Sequence, residues 1–361
     1  MRHRFHSICP YFAMFPEEFV QRQLAWSKPG DLVLDPFCGR GTTVFEALLR
    51  GRDAIGCDTN PVAVCVSRAK ADPPRLRAVL ERIRELEDSC AKAERRTAPT
   101  EFFRWCYHPS TFHQVAFLRD TLAWRRRRDD CFIGAMALGL LHGESHRTAL
   151  CFSNRMPRTI STKPDYSVRW WRERDSRAPK RDVFAILREV AAFRFASEPA
   201  DRRGSVKNCD VRHASKRFAA ARGRVKLVIT SPPYLDTTNY REDQWLRLWL
   251  LGGGTVPETG GSENDDRHRG AESYWKFIED SWAGVAPLLA DGAHVIVRIG
   301  GRRVERDECQ TQLLTSMKRG FNTKVRLLDR HTSAIRKRQA IAFHPEPLEG
   351  AVEHDFHVRV T

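Results

Sequence analysis

The sequence predicts an α/β protein with a doubly wound, mostly parallel sheet and a mainly helical insertion. Three observations predict it: a strand, glycine loop, helix and strand within the first 70 residues; a charged, helix-patterned stretch after residue 75; and a return of short apolar runs after residue 204. The first strands are continuously apolar rather than alternating, as a parallel sheet covered on both faces requires.

The first unit, "GDLVLDPFCGRGTTVFEALLRGRDAIGCDTNPVAVCVSRA", reads as a strand over Leu32 to Asp35, a loop holding Gly39 and Gly41, and a helix over Thr43 to Leu49. A strand over Ala54 to Asp58 follows, then a helix from Pro61, a residue suited to a first helical turn. From Arg75 the pattern is charged and helical ("RLRAVLERIRELEDSCAKAERR"), and strand-like sequence resumes at "GSVKNCD". "VKLVITSPPY", "GAHVIVRIGG", "TKVRLLDRH" and "QAIAFHPEP" continue the sheet, while the glycine-rich "LGGGTVPETGGSENDDRHRG" reads as a mobile loop or lid. The chain therefore divides into residues 1–74, an insertion at 75–200, and residues 201–361. The insertion is expected to lie beside the cleft and to carry target recognition.

Composition narrows the function. A formal charge of +16, from 61 Lys and Arg against 45 Asp and Glu, points to a polyanionic partner, with nucleic acid first. No apolar run reaches the roughly 18 residues of a spanning helix, and no signal-peptide pattern opens the chain, so a cytoplasmic protein is expected. None of the ten cysteines forms C-x-x-C, so no metal site is expected. Cys57 and Cys65, inside apolar runs, read as small buried hydrophobes.

Two constellations carry chemistry. In "DPFCGRGTT" (residues 35–43) the glycines let backbone approach a ligand, and the helix behind them offers free N–H groups. Asp58, nineteen residues after Gly39, stands near the spacing at which an acid meets ribose hydroxyls. Val44 replaces the third glycine of the dinucleotide fingerprint, which favours a nucleoside cofactor without pyrophosphate. The second constellation is Ser231-Pro232-Pro233-Tyr234, directly after the strand residues Val228 to Thr230. Proline cannot donate to a sheet ladder, so the strand must stop there and leave a stiff tip at the rim where α/β sheets bind ligands. The Ser231 hydroxyl and the Pro232 carbonyl can both accept from one amine, since Pro233 has no N–H to compete; Tyr234 offers a face for a base to stack on.

D-P-F-x-G-x-G-T-T together with S-P-P-Y resembles the S-adenosylmethionine-dependent amino methyltransferases of DNA, and the Ser-initiated tetrad resembles their cytosine-N4 group. Adenine-N6 relatives typically begin the tetrad with Asp or Asn. "YFAMFPEEFVQRQLAWSKPGD" is similar to the segment that closes over the methionine end of the cofactor, and "NCD", ending at Asp210, to the acid that receives the adenine amine. The matches cover about 1–70 and 204–301, with one departure, Arg40, where many relatives carry Ser. The resemblance implies a Rossmann-like methyltransferase fold and S-adenosyl-L-methionine held by Asp35, Pro36, Phe37, Gly39, Gly41, Thr42, Asp58 and Asp210. It also implies catalysis by Ser231, Pro232, Pro233 and Tyr234, on a cytosine flipped out of double-stranded DNA.

Basic surface must offset the cost of flipping; the candidates are Arg125 to Arg128, Arg169, Arg172 and Arg174, with Arg302, Arg303, Arg336, Lys337 and Arg338 on the sheet side. Trp170 and Trp171 read as core. Carbon-5 methylation falls, because no Pro-Cys pair presents a thiolate. Adenine-N6 methylation of DNA, guanine-N2 methylation of RNA, and nucleic-acid binding on a degenerate methyltransferase scaffold stay open as alternatives. A restriction companion, a defence component and a solitary modification enzyme are equally compatible with the sequence.

Overall fold

The computed structural model describes residues 2–10, 16–145, 150–157, 164–234, 244–257, 270–301, 305–334 and 352–361. Arg302, Arg303, Arg336, Lys337, Arg338, the expected strand in "QAIAFHPEP", Tyr11 to Phe15, and residues 258–269 of the expected lid lie outside them.

The apolar runs form the strands β1 (Leu32–Asp35), β2 (Asp53–Asp58), β3 (Gly143–Glu144), β4 (Arg155–Met156), β5 (Ser205–Asn208), β6 (Val225–Thr230), β7 (Leu289–Gly301), β8 (Val325–Ala334) and β9 (Val352–Val360). Seven of them make one sheet in the order β5-β2-β1-β6-β7-β9-β8. β5, β2, β1, β6 and β7 run parallel, and β9 is antiparallel to both β7 and β8. This is the expected doubly wound, mostly parallel sheet. Its order reverses between β1 and β6, so the loops leaving those two strands open together at the carboxyl rim.

The sheet belongs to a compact unit made of Tyr11–Ala71, Ala200–Thr238 and Gly261–Thr361. The helices α2 (Thr42–Leu49) and α3 (Pro61–Ala71) pack on its first strands, and α1 (Glu17–Gln23) packs on α2. The helix Ala271–Val285 buries Tyr274, Ile278 and Trp282 in a core shared with Val228, Val295 and Val297. Gly284 lets that helix sit against the turn after Asp210: a Cβ there would overlap the Val211 carbonyl and lie 2.7 Å from the Arg212 Cα.

The second unit is helical, built from α4 (Leu76–Lys92), α5 (Glu101–Cys106), α6 (Pro109–Thr121), α7 (Arg128–Leu140), α8 (Pro164–Glu173) and α9 (Val183–Phe195), with the two-stranded β3-β4 sheet. α4 buries Val79, Ile83, Leu86 and Cys90, the stripe of a 3.6-residue period. Its boundaries differ from those expected: the unit comprises Met1–Pro10, Asp72–Pro199 and Asn239–Gly260. Aromatic packing is the reason. Phe5 meets Phe132 and Phe195 edge-on, each at 5.3 Å, and Trp249 lies 4.6 Å from Phe103. Segments assigned from sequence to the outer parts of the chain thus complete the helical core.

Among the described residues no helix is long and apolar enough to cross a membrane. The cysteines are free, all buried except the half-buried Cys209. Trp171 is fully buried and donates to the Arg155 carbonyl at 2.9 Å, whereas Trp170 is half-buried under the Arg174 guanidinium.

Candidate active site

The glycine loop begins at Asp35, the last residue of β1, which is 2% exposed. Thr230, the last residue of neighbouring β6, donates its hydroxyl to Asp35 Oδ1 at 2.7 Å, and the Phe37 N–H donates to the same oxygen at 3.2 Å. Thr43 Oγ1 in α2 donates to the Ile229 carbonyl at 3.1 Å. Two buried hydrogen bonds therefore fasten the glycine loop to the strand that delivers Ser231. Burial raises the Asp35 pKa from 3.8 to about 7, against the lowering effect of the Thr230, Phe37 and Thr43 donors.

Within the loop Gly39 and Gly41 adopt φ of +48° and +72°. Gly41 has a second requirement: a Cβ there would stand 2.7 Å from Ser67 Oγ, a hydroxyl occupied in donating to the Gly39 carbonyl at 2.6 Å. Pro36 and Thr42 are buried, while Phe37 and Gly39 are half-buried. Arg40, the departure from the resembling family, is 4% exposed and paired with Glu17 of α1 at 3.1 Å. It ties the loop to the segment before β1.

Asp58 ends β2 and receives the Gly39 N–H at 2.9 Å and the Asn60 N–H at 2.8 Å, one on each carboxylate oxygen. Asp210, just beyond β5, caps the following turn by accepting the Arg212 N–H at 2.8 Å and pairs with the Arg212 guanidinium at 2.7 Å. Those bonds and that charge outweigh partial burial and lower its pKa. The Arg212 guanidinium lies 5.8 Å from the Phe277 ring centre, and Phe277 lies 6.0 Å from Phe37. Phe37, Phe277, Arg212 and Asp210 thus form one linked group of aromatic and charged side chains beside the loop that Asp58 braces.

At the tip, β6 ends at Thr230 and the proline pair follows, Pro232 buried and Pro233 half-buried. Ser231 Oγ donates to the Tyr234 hydroxyl at 3.4 Å, and the Tyr234 hydroxyl donates to Glu353 Oε1 of β9 at 3.2 Å. Arg298 of β7 holds Glu353 Oε2 at 3.0 Å and grips Asp355 with two bonds of 2.6 and 2.8 Å. The antiparallel register sets this up, placing Asp355 opposite Arg298 and Glu353 opposite Gly300. The Arg298 guanidinium stacks 3.9 Å from the Phe19 ring centre of α1. Gly300 leaves room for the tyrosine, since a Cβ there would stand 2.8 Å from Tyr234 Cε2.

Thr230, Glu353, Arg298, Asp355 and Phe277 were not found from sequence. Thr230 adjoins the tetrad and could have been. The spaced acids of "VEHDFHVRV" were the available sign of the strand that carries Glu353 and Asp355.

Residues 3–68 match the model of the DNA methylase family N6_N4_Mtase. The chain is 47% identical over 47 residues to the orphan methyltransferase M.BamHII of Bacillus amyloliquefaciens, covering 13% of this chain and 18% of that protein. It is 40% identical over 65 residues to the type II methyltransferase M.Cfr9I of Citrobacter freundii, covering 17% and 22%. The matched segments span about a fifth of the length of these relatives. Among solved structures, the rRNA methyltransferase AviRa of Streptomyces viridochromogenes aligns over 99% of this chain and 94% of its own, at 13% identity and a TM-score of 0.36.

Proposed function

We infer that the chain is an S-adenosylmethionine-dependent DNA amino methyltransferase that methylates the exocyclic N4 of a flipped-out cytosine. The observation that carries this reading is the Thr230 to Asp35 bond, because it locks a nucleoside-type glycine loop and a proline-stiffened acceptor tip to each other at the switch point of the sheet.

The residues present fit the cofactor. Asp58, braced by two backbone N–H groups, presents its carboxylate to the ribose hydroxyls; Phe37 and Phe277 offer aromatic faces, and Asp210 takes the adenine amine alongside Arg212. Pro36, Gly39, Gly41 and Thr42 shape the backbone around it. Bound there, S-adenosylmethionine supplies a methyl group activated by a sulfonium.

The chain's own residues must then make a poor nucleophile competent, since the exocyclic amine's lone pair is delocalised into the ring. Ser231 Oγ and the Pro232 carbonyl accept the two N–H groups and favour a pyramidal nitrogen. Tyr234 presents its ring to the extruded base, with stacking worth about 1–3 kcal/mol. The DNA backbone is assigned to exposed arginines of the helical unit, Arg126 and Arg169 foremost.

Titration calorimetry with S-adenosylmethionine tests the cofactor assignment. Asp58→Ala should weaken binding by about 10-fold or more, the loss of a charged hydrogen-bonding partner, with the melting curve still cooperative. Unchanged affinity would remove Asp58 from the site.

A further inference from the structure

The donor order at the tip runs one way. Glu353 accepts from Tyr234 at 3.2 Å and Tyr234 accepts from Ser231 at 3.4 Å, which directs the Ser231 proton inward and its lone pairs toward a ligand. A serine hydroxyl is by nature donor and acceptor, whereas an amine about to be methylated needs an acceptor only. A freely rotating Ser231 could instead donate to a ring nitrogen of the base.

We propose that Glu353 is a positioning residue which, through the Tyr234 hydroxyl, fixes Ser231 as an acceptor toward the target amine and gives the proton released on methylation a way out. This rests on the amino-methyltransferase reading above. As the new N–C bond forms and the S–C bond breaks, its electron pair staying on sulfur, the nitrogen must lose one proton. Ser231 takes that proton while passing its own to Tyr234, and Tyr234 passes its own to Glu353. Both hydroxyls are restored, and the proton ends on the carboxylate. Burial and the neighbouring Glu353 charge push the Tyr234 pKa upward, so the relay runs through hydroxyls and not a tyrosinate.

The surroundings of Glu353 determine what a substitution does. Arg298 can only donate, and it donates to Oε2. In Glu353→Gln the amide oxygen is therefore drawn to Arg298 and the NH₂ turns toward Tyr234. That reverses the donor order at nearly constant shape.

The test uses the full chain, duplex DNA and labelled S-adenosylmethionine under steady-state and single-turnover conditions. Glu353→Gln should lower kcat about 10- to 100-fold, within the range of lost proton-transfer assistance, while KM for DNA and calorimetric cofactor affinity stay within about twofold. Tyr234→Phe, which keeps the ring and leaves Arg298 and Glu353 in place, should lower kcat comparably. Because the two act in series, Glu353→Gln in the Tyr234→Phe background should cost nothing further. Wild-type kcat in Glu353→Gln, or losses that multiply in the double variant, would overturn the proposal while leaving the amino-methyltransferase reading in place. Should Glu353→Gln melt early, Tyr234→Phe decides alone, and full activity there overturns the relay. A wild-type chain that methylates no nucleic acid would sink both.

Discussion

Asp35 holds its proton to about pH 7 because burial disfavours the carboxylate more than Thr230, Phe37 and Thr43 favour it. Its folded pKa lies above the unfolded 3.8, so the folded state binds more proton between those values. The stability it contributes is fully present below about pH 4 and is lost as pH rises through about 7. Asp35→Asn keeps an oxygen for both Thr230 and Phe37, which donate to the same atom. Thermal melts at pH 5 and pH 8 should show the wild type losing more stability across that interval than Asp35→Asn. Equal slopes would mean that Asp35 is ionised in the fold. At this scale the sequence was legible wherever the chemistry was local. Two prolines after a strand announce a stiff tip from four adjacent residues. Glu353, 119 residues from Tyr234, was not legible, because its place depends on antiparallel register. Asp210 came from resemblance alone, and its pairing with Arg212 two residues on went unnoticed.

The first βαβ unit was readable to within a residue at β1, β2, α2 and the start of α3, since apolar runs, glycines and Pro61 mark each boundary. The helical unit was readable in kind but not in extent. Residues 2–10 and the helix Trp245–Leu250 join it through aromatic contacts that no local pattern reveals. β9 was overlooked, although Phe356, Val358 and Val360 alternate inward along it. Of the basic cluster at 125–128, Arg127 pairs with Asp129, Arg128 with Asp72, and Arg125 lies over Trp124. In α8, Arg172 pairs with Glu101. Arg126 and Arg169 are exposed, and their side chains have no ion pair among the described residues, so they are the members best able to reach phosphates. Neutralising each to Gln should reduce the slope of log K against log salt for duplex DNA by about one, as measured by fluorescence anisotropy. An unchanged slope for both would move the DNA surface elsewhere.

The whole molecule combines a charge of +16, a sheet whose switch point joins β1 to β6, and a tip whose hydroxyls end on Glu353. The first fits a polyanionic substrate, the second a nucleoside cofactor beside a reacting group, and the third an acceptor facing an amine. In the proposed reading, cytosine is preferred to adenine because Ser231 stands where the adenine-N6 enzymes that the tetrad resembles carry Asp or Asn. A serine directed by an internal hydroxyl chain is a physical counterpart to that difference, since an Asp carboxylate is an acceptor without such direction. The most direct measurement is to incubate the chain with duplex DNA and S-adenosylmethionine, digest the DNA to nucleosides and separate them by mass spectrometry. N4-methylcytosine as the methylated product is the expected result; N6-methyladenine alone, or methyl transfer only to RNA, would contradict it.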